Sequence, residues 1–384
     1  MADVYITGAA RTPMGGLQGA LSEVRAADLG GAAIAAALDR AGWPTVNETI
    51  MGCVLPAGQG QAPARQAAFA AGLGEEVPAS TINKMCGSGM KAAMMAFDSL
   101  ALGAQTTIVA GGMESMSQAP YLLPGMRGGA RLGHGAAVDS MFLDGLEDAY
   151  DKGRLMGTFA EDCAEHFQFT RDAQDDYALG SLSRALAAQE NGGFAAEIAP
   201  VTFKTRRGDG VVAEDEQPKV ARPEKIPHLK PAFREGGTVT PANASSISDG
   251  AAALVLTAER EGARARILGH ASHAQAPGWF TTAPVPAAKA LLERIGWDVA
   301  DVDLWEVNEA FAVVPMAFMR EMGLSREVMN VNGGACALGH PIGASGARIL
   351  VTLLYALEAR GLKRGVAAIC IGGGEGTALA LELL

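Results

Sequence analysis

Residues 80–113, STINKMCGSGMKAAMMAFDSLALGAQTTIVAGGM, decide the architecture. They predict a strand over 80–85, a helix over about 87–102 stopped by Gly103, and a strand over 106–110 running into Gly111-Gly112. Met90, Met94, Phe97 and Ala101 fall on one helical face, the spacing of a buried stripe. Residues 330–377 repeat the order of parts. A short strand, a Gly-rich turn, a helix over about 344–360 stopped by Gly361, and a strand over 366–371 lead into Gly372-Gly373-Gly374. The same succession occurring twice predicts a duplicated α/β domain, one copy near each end, with a site between the copies.

Outward from these copies, residues 4–8 read as a buried strand, 26–41 as an Ala-rich amphipathic helix, 51–55 as a short strand and 249–257 as a strand returning to the first copy. A dinucleotide-binding reading of the opening fails, because GxGxxG is missing and Pro13 interrupts where the helix would begin. Between the copies the sequence changes character, and 204–234 is polar and punctuated by Pro. The expected division is 1–118 plus 248–263 for the first half, 119–247 for an inserted domain of helices and loops, and 264–384 for the second half.

With 384 residues the chain holds two or three domain-sized units, and 49% hydrophobic against 19% charged residues fits a densely packed globular protein. A net charge of −11 argues against a nucleic-acid binder, which needs a basic face. No apolar stretch of about 18 residues appears, so no membrane span is expected. Nothing at the amino end resembles a secretory signal, and five scattered cysteines without a CxxC pair suit reduced thiols. The cytoplasm is the default compartment.

Cys86 stands between a predicted strand and a helix N-terminus, where unpaired N–H groups and the helix dipole favour thiolate. A nucleophile and a buried inert thiol both fit this setting. His340 lies in GGACALGHPIGASG (333–346), read as the matching place in the second copy, so the two could form the Cys–His pair of nucleophilic catalysis. His134, His166, His228, His270 and His273 lack such surroundings and read as surface or structural. Cys370 ends a strand before Gly372-Gly373-Gly374; it is either a second acid/base thiol beside freed N–H donors or a core residue. Asn308-Glu309 either caps a helix or positions a water or substrate oxygen. GxxxxGK[ST], HExxH and CxxC are absent, and GxSxG is approached only by Gly343–Ala347, so no metal site, P-loop or serine-hydrolase site is expected.

Arg11-Thr12-Pro13, NKMCGSGMKA, AGGMESMS, NASSISDGAAA, EVNEAFA, NVNGGACALGHPIGASGARI and CIGGGEGTA occur in the order in which the thiolase family carries them. Over essentially its whole length the chain resembles that family, nearest to its acetyl-CoA C-acetyltransferase branch. The resemblance implies a five-layered αβαβα fold from two duplicated halves with an inserted loop domain that helps bind coenzyme A. It implies reversible condensation of two acetyl-CoA to acetoacetyl-CoA and CoA, or thiolysis of short 3-ketoacyl-CoA, through acyl-Cys86. The alternatives are a 3-ketoacyl-CoA thiolase of broader chain length and, from another class, a non-catalytic CoA-binding module.

By motif position Cys86 is the nucleophile, His340 activates it, and Cys370 moves the α-carbon proton. Asn308, through a water, and His340 form one oxyanion hole; the N–H groups of Cys86 and Gly372 form the other. Ser245 contacts the pantetheine arm, Arg222 lies near the nucleotide end, and Leu155, Met156, Phe280 and Phe311 border the acyl group. The resemblance implies coenzyme A thioesters as substrates, no further cofactor, and a homotetramer or homodimer. Biosynthetic members often carry His-Met-Gly where this chain has Leu155-Met156-Gly157, and Phe280 replaces a pocket methionine, so chain-length preference stays open.

Overall fold

In the computed structural model, which describes residues 2–205 and 208–384, the first half runs β1 (Val4–Arg11), α1 (Ala26–Arg40), β2 (Glu48–Gly52), α2 (Pro63–Ala70), β3 (Ala79–Ile82), α3 (Ser88–Ala101) and β4 (Thr107–Ser115). The chain then leaves the sheet, forms α4 (Met156–Phe167) and α5 (Arg171–Glu190), and returns as β5 (Ser248–Thr257). The second half follows as β6 (Ala265–Ala274), α6 (Pro284–Ile295), β7 (Leu304–Val307), α7 (Val313–Met322), α8 (Ser345–Arg360), β8 (Arg364–Ile371) and β9 (Glu375–Leu383).

The strands order as β7-β8-β9-β6-β1-β5-β4-β2-β3, and a two-residue strand, Gly15–Gly16, pairs with the start of β5. The halves join through an antiparallel β1/β6 pairing, Val4 opposite Ile267. Side-chain alternation fixes the layers. On β5, Ala251, Ala253 and Val255 pack with α1 and α2, while Ala252, Leu254 and Leu256 pack with α3 and α8. On β8, Val366 and Ala368 face the cluster of α6 and α7, and Ala367 and Ile369 face α3 and α8. Both faces of each half-sheet are covered, which is why these strands are near-continuous apolar runs. The result is five layers: helices, sheet, α3 with α8, sheet, helices.

The central pair crosses at glycines. A Cβ on Gly89 would lie 2.7 Å from the Ala347 backbone nitrogen, and one on Gly346 would strike the Met90 nitrogen. This reciprocity aligns Gly89 with Gly346 and Ser88 with Ser345. It corrects one expectation: the counterpart of Cys86 is Gly343, and His340 lies three residues earlier.

The short strand expected near residue 330 does not form; isolated Trp305/Met329 and Val331/Gly333 bridges mark its place. The Asn330 side chain substitutes for it, accepting from Val307 N at 2.8 Å and donating to Val307 O at 2.8 Å, so a carboxamide completes the β7 edge. The strand expected at 51–55 ends at Gly52, because the Val54 and Leu55 N–H groups turn inward to Glu114.

Candidate active site

The residues singled out in the sequence converge where α3 and α8 begin. Cys86 closes a tight turn in which Gly87 N donates to Lys84 O at 3.0 Å and Ser88 N to Met85 O at 2.9 Å. Met85 is held at φ +46°, a left-handed conformation that non-glycine residues rarely adopt and that recurs at functional sites. The turn delivers the half-buried Cys86 to an apolar cavity of about 370 Å³, whose wall also includes His340, Gly372, Ser245, Phe280 and Phe311.

Burial pushes the Cys86 thiol up to about 11, and the Glu114 carboxylate adds to the rise. The backbone N–H groups of Gly372 and of Cys86 itself pull the other way. The lowered pKa expected from the helix end is therefore overridden: α3 starts at Ser88, two residues on, and the apolar wall dominates. Cys86 rests as a thiol.

His340 is buried, and its Nδ1 lies 2.5 Å from Ser345 Oγ. The Ser345 hydroxyl proton is already given to Pro341 O at 2.9 Å. Hydrogen-bond accounting therefore places the ring proton on Nδ1, which donates to Ser345. Nε2 keeps its lone pair and has no hydrogen-bond partner among the described residues. Burial, then the charge of Arg348, hold the His340 pKa down to about 3, so the ring is neutral at physiological pH. A neutral imidazole with a bare Nε2 on the same cavity as a thiol has the chemistry a general base requires.

Asn308 and Cys370 are fully buried at the ends of β7 and β8 and add no surface to this cavity. Among the described residues neither Oδ1 nor Nδ2 of Asn308 has a hydrogen-bond partner, an expensive state for a buried carboxamide. Burial, then the charge of Cys86, raise the Cys370 thiol well above its ordinary value, so it too rests protonated. The neighbouring Glu309 has a different task. It accepts from Tyr177, Ser181 and Asn330 at 2.9, 2.7 and 2.8 Å and so ties α5 to the second half.

Leu155 and Met156, at the entry to α4, border the cavity, and Phe280 stands edge-on to Phe159 at 6.3 Å. Ser245 is on the wall, but its hydroxyl proton goes to Ala310 O at 2.9 Å, leaving only its lone pairs for a ligand. Arg222 is exposed, away from the acyl cavity, in a groove of about 310 Å³ that also contains Lys225 and shares Pro241 and Ser246 with it. Of the remaining histidines, His270 meets Asp98 at 2.9 Å beneath the edge of Phe97, and His166 packs on Trp279. Three contributors were not foreseen: Ser345, Glu114 and Phe233, the last a further part of the cavity wall. Only Ser345, placed five residues past His340 at the helix start, carried a usable signal.

Residues 4–260 match the family described as "Thiolase, N-terminal domain", and residues 262–383 the one described as "Thiolase, C-terminal domain". The chain belongs to the thiolase family. It is 51% identical to acetyl-CoA acetyltransferase 2 of Arabidopsis thaliana, over 100% of this chain and 97% of that protein. It is 48% identical to the acetyl-CoA acetyltransferase of Cupriavidus necator, with 100% of both covered. The crystal structure of the Bacillus anthracis acetyl-CoA acetyltransferase superposes with a TM-score of 0.97 at 42% identity, covering 100% of this chain and 99% of that one. Acat5 thiolase from Ascaris suum, in complex with coenzyme A, gives 0.93 at 42% identity, with both chains covered in full. The five-layered arrangement of two halves expected from the motifs is thus the fold of this chain. No helix among the described residues is long and apolar enough to cross a membrane.

Proposed function

We propose that the protein is an acetyl-CoA C-acetyltransferase that condenses two acetyl-CoA to acetoacetyl-CoA and CoA, and runs the reverse thiolysis on short 3-ketoacyl-CoA. One observation carries the reading: a thiol with two N–H groups at its sulfur and a neutral histidine with a bare Nε2 share one apolar cavity. In the first half-reaction Cys86 Sγ attacks the thioester carbonyl while its proton passes to His340 Nε2. The carbonyl oxygen takes up negative charge beside preorganised donors, and the leaving CoA sulfur recovers the proton from the imidazolium. In the second, the α-proton of another acetyl-CoA passes to Cys370 while Asn308, through a water, and His340 stabilise the enolate oxygen; the enolate carbon attacks the acetyl carbonyl on Cys86, the C–Sγ bond breaks, and Cys86 Sγ takes up a proton. Because Cys370 rests as a thiol, it is ready to donate in thiolysis and must first lose its proton in condensation.

Several features support the substrate assignment. The groove with Arg222 and Lys225 continues from the acyl cavity past Pro241 and Ser246, as an anionic nucleotide tail requires. We read residues 119–247 as the inserted domain that binds this tail and contributes subunit contacts. The active assembly is read as a homotetramer or homodimer, which sedimentation equilibrium distinguishes, in the cytoplasm. The substrates supply the thioester chemistry, so no further cofactor enters.

The test separates the two thiols. Cys86→Ala abolishes both acetyl trapping from radiolabelled acetyl-CoA and condensation, whereas Cys370→Ser still traps acetyl on Cys86 and loses condensation by orders of magnitude. Normal condensation by Cys370→Ser would remove it from the α-proton step. Thiolysis rates from C4 to C16 substrates decide between this enzyme and a broader-chain thiolase, and tight CoA binding without acetyl trapping would favour a non-catalytic module.

A further inference from the structure

We propose that Glu114 is a positioning residue of the active site, its carboxylate holding the His340 segment of one half in place against the Cys86 side of the other; this rests on the acyl-transfer reading above. Glu114 is fully buried near the end of β4. Its Oε2 accepts from Val54 N and Gly343 N, both at 2.9 Å, and its Oε1 from Leu55 N at 3.1 Å and the Cys53 thiol at 3.5 Å. No ion pair involving Glu114 occurs among the described residues. A buried carboxylate held by neutral donors alone is costly to maintain, and it persists where the geometry it enforces matters.

The donors come from both halves. Val54 and Leu55 follow β2, and Gly343 stands midway between His340 and Ser345. The segment 340–345 is therefore fastened across its ends by the His340–Ser345 hydrogen bond and at its middle by Glu114. The fit is tight, since a Cβ on Gly343 would lie 2.6 Å from Glu114 Oε2. Val54, Leu55 and Ile342 pack in one apolar cluster against which Cys86 leans, so the same carboxylate anchors both sides of the cavity floor. Burial lifts the carboxyl to about 7 against the pull of the three N–H groups, and the titratable groups facing it are Cys53 and Cys86.

All four partners are donors. A carboxamide, whichever way it turns, aims its NH₂ at two of them, so Glu114→Gln is nearly isosteric yet electrostatically wrong. Glu114→Asp keeps the anion and shortens its reach. Two measurements report separately: the burst of acetyl-Cys86 formed from radiolabelled acetyl-CoA, and the pH dependence of Cys86 alkylation by iodoacetamide, located by mass spectrometry. Glu114→Gln is expected to slow acetylation about 100-fold, the penalty of an ångström-scale misplacement, with KM little changed. Its alkylation profile is expected to move to lower pH, because no carboxylate then opposes the thiolate. Glu114→Asp is expected to acetylate about tenfold slower with an unmoved profile.

Slower acetylation together with easier alkylation is a signature that simple loss of stability does not produce. The proposal is overturned if Glu114→Gln acetylates at the wild-type rate or leaves the alkylation profile in place. Should Glu114→Gln not fold, wild-type acetylation by Glu114→Asp overturns it equally. If the wild type itself forms no acetyl-Cys86, the acyl-transfer reading fails, while alkylation still reports on Glu114.

Discussion

Ser345→Ala isolates what prepares His340. The hydroxyl accepts from Nδ1 at 2.5 Å and donates to Pro341 O at 2.9 Å, within a residue that is fully buried. Alanine removes about one oxygen's volume and leaves His340 Nδ1 without its acceptor, whereas Pro341 O still accepts from Ala344 N and Ser345 N. An unsatisfied buried donor costs about 1–3 kcal/mol. The ring escapes that cost by carrying its proton on Nε2 instead, the nitrogen that has to be bare. Since about 1.4 kcal/mol is a factor of ten, the fraction of competent tautomer falls about tenfold to hundredfold. The assay is rapid-quench acetylation of Cys86 at saturating acetyl-CoA, with near-unchanged KM because Ser345 itself does not line the cavity. A loss of that size in the first half-reaction is expected, with the folded state confirmed by thermal denaturation. Wild-type acetylation by a folded Ser345→Ala would refute the tautomer assignment and the accounting behind it.

Three further outcomes test other parts of the structure. Gly89→Ala pushes a methyl into the Ala347 backbone at the crossing of α3 and α8, where neither backbone can yield; overpacking at the upper end of the usual range, about 3 kcal/mol, should show as reduced soluble yield and a lower denaturation midpoint. Phe280→Leu opens the acyl wall and should raise kcat/KM for C6 over C4 3-ketoacyl-CoA by about tenfold, the worth of one methylene in an apolar pocket; an unmoved profile removes Phe280 from that wall. Because the Cys86 thiol sits at about 11, its alkylation by iodoacetamide should climb about tenfold per pH unit from pH 7 to pH 10, and a plateau below pH 9 contradicts the assignment.

Much of this is legible in the sequence. Cys86, His340 and Cys370 announce themselves because each stands in a Gly-dense junction, and glycine there is justified only by close approach: Gly89 and Gly346 touch across the central helices. The strands of the core were readable because burial on both faces makes them continuously apolar, as in β5. What stayed hidden was non-local. Glu114 reads as the polar end of a strand until Val54, Leu55 and Gly343 are seen to donate to it. Asn330 reads as a strand residue, and only tertiary packing turns its side chain into the strand's substitute. Phe233 belongs to a polar stretch and gains meaning from its edge-on contact with Phe311 at 6.0 Å. The sign of the Cys86 shift was misjudged for a related reason: a helix terminus is visible in sequence, whereas the apolar wall that outweighs it is assembled from distant segments.

That misjudgement bears on how the site works. A thiolate–imidazolium pair resting in this cavity would place two charges among apolar walls, and burial drives both groups the other way, the thiol to about 11 and the imidazole to about 3. The ground state is consequently a neutral pair, and charge appears only as sulfur meets the carbonyl. In the proposed first half-reaction the oxygen then gains charge beside the donors near Cys86 and Gly372, and His340 holds a proton beside the developing anion. Donors fixed in advance favour the charged transition state over the uncharged resting state, which is the condition for accelerating the step rather than merely tightening binding. The duplicated fold supplies the rigidity this needs, since α3 and α8 are locked backbone to backbone and each carries one member of the pair at its entrance.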